Sequence, residues 1–170
     1  MRKEVAFQDL QHTICPHFDI FFFEPVGIEI NGQLFCQLPH RVQKTYRHKH
    51  FELAGMLFET VEEVLMARLL IAMRIRFMHH IRFPIADSAV CPDFTLDKMF
   101  KWETNVGDPH HGKIFLNIEV KRTNAAIQRH SGKYTTLEEA YGVPTLLLSA
   151  VEITKYLHTG ALPIVALQAA

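Results

Sequence analysis

"FLNIEVKRTN", Phe115 to Asn124, sets a glutamate and a lysine two residues apart inside an apolar run. In a strand, alternate side chains point to opposite faces. Ile114, Leu116, Ile118 and Val120 then form a core face, and Phe115, Asn117, Glu119 and Lys121 fall on the other. Along that second face Glu119 and Lys121 stand about 6 to 7 Å apart. As a plain surface ion pair they contribute little. A carboxylate on a neighbouring strand would give them a chemical purpose.

Upstream, "CPDF" supplies that carboxylate at Asp93, 26 residues before Glu119. Phe94–Trp102 and Lys113–Lys121 both suit extended structure, and "ETNVGDPHHG" between them is dense in turn formers. The two segments read as a long-looped hairpin, with Asp93 on the partner of the strand that carries Glu119.

Working outward, Asn31-Gly32 joins Val26–Ile30 to Gln33–Leu38 as an N-terminal β-hairpin, because Asn-Gly tolerates the positive φ of a tight turn. A basic connector, "PHRVQKTYRHKH", follows. The Leu, Met, Ala, Glu and Arg content from Phe51 to about Phe83 then predicts one long helix, stopped by Pro84. Asn124 is placed to cap a helix running to Tyr141 and ended by Gly142. "VPTLLLSAV" has the wholly apolar character of a strand covered on both faces. A short helix over Val151–His158 and a last strand in "LPIVAL" complete a mixed α/β order.

The 170 residues are the size of one domain, and 48% hydrophobic with 21% charged residues is a globular composition. Lysine plus arginine (18) equal aspartate plus glutamate (18), so polyanion binding would be local rather than driven by a net field. Eleven histidines can tip that balance positive near pH 6 to 7. Three cysteines, Cys15, Cys36 and Cys91, form no CxxC pair, which suits free thiols in an intracellular, reducing compartment such as cytoplasm or nucleus. The N-terminal "MRKEVAFQDLQH" has no apolar stretch of signal-peptide length, and Leu53–Ile81 carries Glu59, Glu62, Glu63, Arg68, Arg74 and Arg76. A membrane span would bury several of those charges, so a soluble chain is expected.

Pro92-Asp93, a hairpin, then Glu119-Val120-Lys121 resembles the PD-(D/E)XK nuclease superfamily, the restriction-endonuclease-like fold. The resemblance covers roughly Glu52 to Val151. It implies a mixed β-sheet flanked by helices: a core over 51–151, an N-terminal extension with a hairpin over 1–50, and a C-terminal helix and strand over 152–170. It also implies Mg²⁺ or Mn²⁺ on Asp93 and Glu119, with Lys121 positioning the attacking water. An acidic residue on the preceding helix completes such sites, and here Glu59 and Glu63 share one helical stripe, with Glu63 slightly favoured. Hard carboxylate oxygens suit these ions, and a metal so held lowers the pKa of its water and offsets charge on a phosphodiester.

The expected activity is therefore metal-dependent hydrolysis of DNA or RNA, by a monomer, a homodimer or a larger complex. The alternative is an inactive nuclease-fold domain that binds nucleic acid or serves assembly. Arg122, Arg129 and Lys133 form a basic patch suited to phosphates next to the site. Gln128 matches a glutamine of some exonuclease branches, but Gly132 stands where their tyrosine belongs, so that subgroup does not apply. In cap-snatching endonucleases of segmented negative-strand RNA viruses, which share this fold, an upstream histidine joins the metal, and His48 or His50 fits that part. Cys91, His110 and His111 offer a conceivable zinc set, at a spacing that matches no familiar zinc pattern.

Overall fold

The computed structural model describes residues 20–23, 27–30, 33–36, 51–53 and 56–167. Near the N-terminus β1 (Ile20–Phe23), β2 (Gly27–Ile30) and β3 (Gln33–Cys36) form an antiparallel sheet. Ile30 faces Gln33 across β2 and β3, the register that a two-residue Asn-Gly connection requires. The Asn31-Gly32 turn itself, His48 and His50 lie outside the described residues.

The expected helix over Phe51–Phe83 is replaced by five elements. These are β4 (Phe51–Leu53), β5 (Met56–Phe58), helix α1 (Val61–Ala72), β6 (Phe77–His79) and the start of β7 (Phe83–Ile85). β4 and β5 pair as a hairpin. Helix α1 begins where Thr60 caps it: the Thr60 Oγ1 accepts from the Glu63 N–H at 3.2 Å. It ends where Arg74 turns left-handed, at φ 57°. Pro84 does not stop a helix but sits in β7, which among the described residues pairs with β8 (Ser88–Val90) alone, through a turn carrying Ala86 at φ 48°. Proline suits such a hairpin edge because no ladder hydrogen bond is asked of it.

β9 (Phe94–Trp102) and β10 (Ile114–Lys121) are the expected long-looped antiparallel pair. Helix α2 (Asn124–Tyr141) follows, capped by Thr123 rather than Asn124. Gly142 ends it at φ 67°, a conformation that glycine adopts without penalty. β11 (Thr145–Ser149) lies parallel to β10, and helix α3 (Ala150–Leu157) starts on a capping box between Ser149 and Glu152. β12 (Ile164–Ala166) completes the order. The central mixed sheet runs β11-β10-β9, and β6 and β12 share the outer edge of β9.

One apolar layer joins α1 and α3 to the sheet through Met66, Leu70, Phe94, Phe115, Ile118 and Leu148. The other joins α2 and the β7–β8 hairpin through Ile81, Phe83, Met99, Leu116 and Leu137. The sheet is thus flanked by helices on both faces. The alternation expected for β10 is broken near its start. Between Phe115↔Phe100 and Asn117↔Thr95 the register shifts, so Leu116 alone faces Leu96–Met99. The N–H groups of Leu116 and Asn117 both donate to the Pro144 carbonyl, at 3.0 and 3.1 Å. Phe115 therefore joins Ile118 and Val120, and Leu116 joins the layer under α2. Glu119 and Lys121, beyond the irregularity, keep the shared face that alternation assigns them.

Candidate active site

Asp93 immediately precedes β9, and Glu119 lies opposite on β10. The two residues are joined reciprocally through the backbone. Glu119 Oε2 accepts from the Asp93 N–H at 3.0 Å, and Asp93 Oδ2 accepts from the Val120 N–H at 2.7 Å. Both side chains are buried. Proline at 92 suits this entry, because it needs no hydrogen bond of its own.

Helix α1 delivers Glu63 and the end of β6 delivers two histidines. His79 Nε2 stands 3.1 Å from Glu63 Oε2, and His80 Nε2 stands 3.8 Å from the same oxygen. His80 also lies 3.6 Å from Asp93 Oδ1. Its backbone adopts φ 54°, an uncommon conformation for a side chain other than glycine. Adjacent residues of a strand point apart, and this left-handed step lets the two imidazoles stack instead, with ring centroids 3.8 Å apart. Phe58 and Phe94 back His79, at centroid distances of 4.6 and 5.6 Å. Among the described residues Glu63, His79 and His80 bring donor atoms within 4.8 Å of one another, as holding a metal ion would require.

Glu63 has structural duties as well. Its Oε1 accepts from the Thr60 hydroxyl at 3.0 Å, and its Oε2 accepts from the Glu59 N–H at 3.2 Å. It therefore ties down the chain that enters α1, through the Glu59 N–H and the Thr60 hydroxyl. Burial raises the Glu63 pKa, with the His80 charge opposing. For His80 burial acts downward, but the hydrogen bond and charge of Asp93, with the charges of Glu63 and Glu59, outweigh it and the pKa is raised.

On the opposite flank Lys121 Nζ contacts Glu119 Oε1, and Lys133 Nζ, from α2, stands 3.7 Å from that oxygen. Burial and the Asp93 charge raise the Glu119 pKa, with Lys121 opposing. Burial acts to lower the Lys121 pKa, but the Asp93 and Glu119 charges prevail and it is raised. Tyr134 is buried beside Glu119, and burial together with that carboxylate pushes its phenol far up. Thr95, Asn117 and Thr145, in register across β9, β10 and β11, bury further polar atoms with no hydrogen-bond partner.

The structure thus brings together Asp93, Glu119, Lys121, Glu63 and Lys133. Glu59 is not on the helix: it precedes the cap Thr60, and it stands outside the donor cluster among the described residues. Glu52, within the expected long helix, falls in β4. Arg122 and Arg129 are exposed at the end of β10 and on α2. The conceivable zinc set is not assembled, since His110 pairs with Glu152 at 2.7 Å and His111 with the Thr104 carbonyl. The site histidines are His79 and His80, which the expected long helix concealed. Their signal was alternation: Ile75, Phe77, His79, Ile81 and Phe83 interleave with Arg74, Arg76, Met78, His80 and Arg82, a strand pattern.

Compared with protein-family models, curated proteins and solved structures, the chain matches none.

Proposed function

We propose that the chain is a metal-dependent hydrolase of phosphodiester bonds in nucleic acid, built on the restriction-endonuclease-like plan. The observation that supports this is the convergence of Asp93, Glu119 and Lys121 from β9 and β10 with Glu63 and His80 on one buried spot. The order α1, β6, β9, β10, α2, β11, with β10 parallel to β11, is the layout that the Pro-Asp and Glu-x-Lys resemblance leads one to expect.

The donor set fits a divalent ion. Glu63, Asp93 and Glu119 offer carboxylate oxygens, and His79 and His80 offer imidazole nitrogens. Nitrogen donors favour Mn²⁺ over Mg²⁺, which prefers oxygen and water. When bound, such an ion supplies a water of lowered pKa and a counter-charge for the phosphate. Asp93 and Glu63 present carboxylate oxygens to the site, and His80 reaches both. Lys121, held by Glu119, keeps an ammonium where a phosphate oxygen or attacking water would sit. Lys133 adds a second cation, and the exposed Arg122 and Arg129 serve the strand beyond.

A binding module without catalysis is the second reading. It is favoured by the fact that Glu63 and Glu119 already have protein partners for their oxygens. Purified chain with Mn²⁺ should cut DNA or RNA, and Lys121→Ala should lose cleavage by at least about a hundredfold while keeping Mn²⁺ binding. Wild-type protein that binds Mn²⁺ and leaves every DNA and RNA substrate intact would decide for the module.

A further inference from the structure

Two lysines face one oxygen of Glu119, and they stand to it differently. Lys121 Nζ is in direct contact with Oε1, whereas Lys133 Nζ, from α2, stops at 3.7 Å, outside hydrogen-bond distance. A second contact holds Lys133 in place: its ammonium sits over the Tyr134 ring, 4.6 Å from the centroid. An ammonium within about 6 Å of an aromatic face is attracted by the ring quadrupole. Consecutive residues of a helix point about 100° apart, so the Lys133 stem bends across its neighbour to reach that face.

Burial divides the two side chains. Tyr134 is 3% exposed, and its hydroxyl is buried without a hydrogen bond of normal geometry. The ring, rather than the hydroxyl, is what Tyr134 supplies to its surroundings. The Lys133 side chain is 39% exposed, so its ammonium is open to an incoming group. Neither a ring face nor an oxygen at 3.7 Å completes a strong hydrogen bond, and the ammonium keeps donors for an anion. A lysine on an exposed helix face otherwise samples many rotamers, and resting it on the ring lowers the ordering cost of meeting that anion.

We propose that Tyr134 is a positioning residue, whose ring fixes the Lys133 ammonium beside Glu119 as the contact for a backbone phosphate of nucleic acid. The identity of the anion rests on the proposed action on nucleic acid. The two lysines then divide the work: Lys121, committed to Glu119, stays at the centre of the site, and Lys133, held only by a ring face and a distant carboxylate, takes the phosphate.

Two measurements on the full chain test this without relying on cleavage. In NMR spectra of lysine-labelled protein, the Lys133 Hε resonances should lie upfield of the other lysines, shifted by the ring current. Tyr134→Phe should keep that shift and Tyr134→Leu should abolish it. Binding of fluorescent DNA and RNA oligonucleotides is then followed by anisotropy in chelator, across a range of salt. Lys133→Ala and Tyr134→Leu should each reduce the slope of log affinity against log salt by about one, as the loss of one phosphate contact does. The double variant should lose no more than either single one, and Tyr134→Phe should keep the wild-type slope. A tyrosine that serves the fold alone would leave the slope unchanged. Unshifted Lys133 resonances, absence of salt-dependent binding, a wild-type slope in Lys133→Ala or in folded Tyr134→Leu, or additive loss in the double variant would each overturn the proposal. If Tyr134→Leu does not fold, the wild-type resonances and the Lys133→Ala slope still decide. A chain that cleaves nucleic acid with a slope indifferent to Tyr134→Leu refutes the positioning role alone. A chain that shows the expected slopes and never cleaves with Mn²⁺ refutes the nuclease reading alone.

Discussion

Asp93 and Glu119 each hold the other's strand: Glu119 Oε2 takes the Asp93 N–H at 3.0 Å, and Asp93 Oδ2 takes the Val120 N–H at 2.7 Å. One oxygen of each carboxylate is thereby spent on the backbone. The other faces cationic or titratable groups, His80 for Asp93 and Lys121 for Glu119. The pair therefore has a structural and a chemical half, and substitutions can separate them.

Asp93→Asn keeps an acceptor for the Val120 N–H and removes the charge. It should retain the fold and lose cleavage by at least about a hundredfold. Asp93→Ala leaves that buried N–H unsatisfied as well, and should be destabilised by about 1–3 kcal/mol relative to Asp93→Asn. Thermal unfolding of both variants, alongside cleavage, checks the separation. Equal stability of the two would show that the Val120 hydrogen bond contributes nothing.

Divalent ions should stabilise the protein selectively. An ion that binds only the folded chain adds about 2.7 kcal/mol at a hundredfold excess over its Kd, roughly 5–10 °C in melting temperature for a chain of this size. Mn²⁺ should produce this rise, a chelator should reverse it, and Mg²⁺ should need higher concentration. His80→Ala should reduce the Mn²⁺ shift and narrow the difference between the two ions. An unchanged Mn²⁺ shift in His80→Ala would remove the imidazole from the site.

Acidity should act on the metal-free protein in a direction opposite to ordinary acid denaturation. The Glu63 and Glu119 carboxyls hold their protons above the ordinary value of 4.5, and His80 holds its proton above 6.5. In each case the unfolded chain releases its proton first, so their contribution is present at lower pH and is lost as pH rises through the folded values. Melting temperature in chelator should therefore fall between roughly pH 5 and pH 8. Saturating Mn²⁺ displaces those protons, and should flatten or invert that slope. A metal-free melting temperature that climbs across this range would contradict the assigned burial of these groups.

The parts of this site were unequally legible. Glu119, Lys121 and Asp93 could be placed because strand alternation and a turn-rich loop act locally. Gly142 was equally plain, since a left-handed helix end asks for glycine. Alternation misassigned Phe115 and Leu116, because the irregularity opposite Leu96–Met99 depends on the pairing partner. The long helix failed for a related reason. Thr60-Val61-Glu62-Glu63 is a capping-box pattern and marked the true start of α1, but helix-favouring composition on both sides obscured it. In the sequence, His79 and His80 are distinguished only by being adjacent. Nothing local announces that Arg74 and His80 would both take positive φ and turn the chain into the site.

The loop between β9 and β10 is tied down far more firmly than its turn-rich composition suggests. His110 Nε2 reaches Glu152 Oε1 at 2.7 Å, while Glu152 Oε2 accepts from the Ser149 N–H, also at 2.7 Å. One carboxylate thus caps α3 and anchors residues 103–113. Asp108 supports the same loop, accepting from the His110 N–H at 2.8 Å and from the Trp102 indole at 3.4 Å. Burial acts to raise the Glu152 pKa, but the Ser149 hydrogen bonds and His110 outweigh it and the net shift is downward. The folded carboxyl stays ionised where the unfolded one takes up a proton, so this contribution is present above the ordinary value of 4.5 and is lost as pH falls through the lowered value. Glu152→Ala removes cap and tether together. It should lower stability by about 1–2 kcal/mol, and amide exchange should accelerate across residues 103–113 while the Mn²⁺ shift is kept. Glu152→Gln, which retains the cap acceptor, should restore most of the stability. If loop exchange is unchanged in Glu152→Ala, the His110 contact does not anchor the loop.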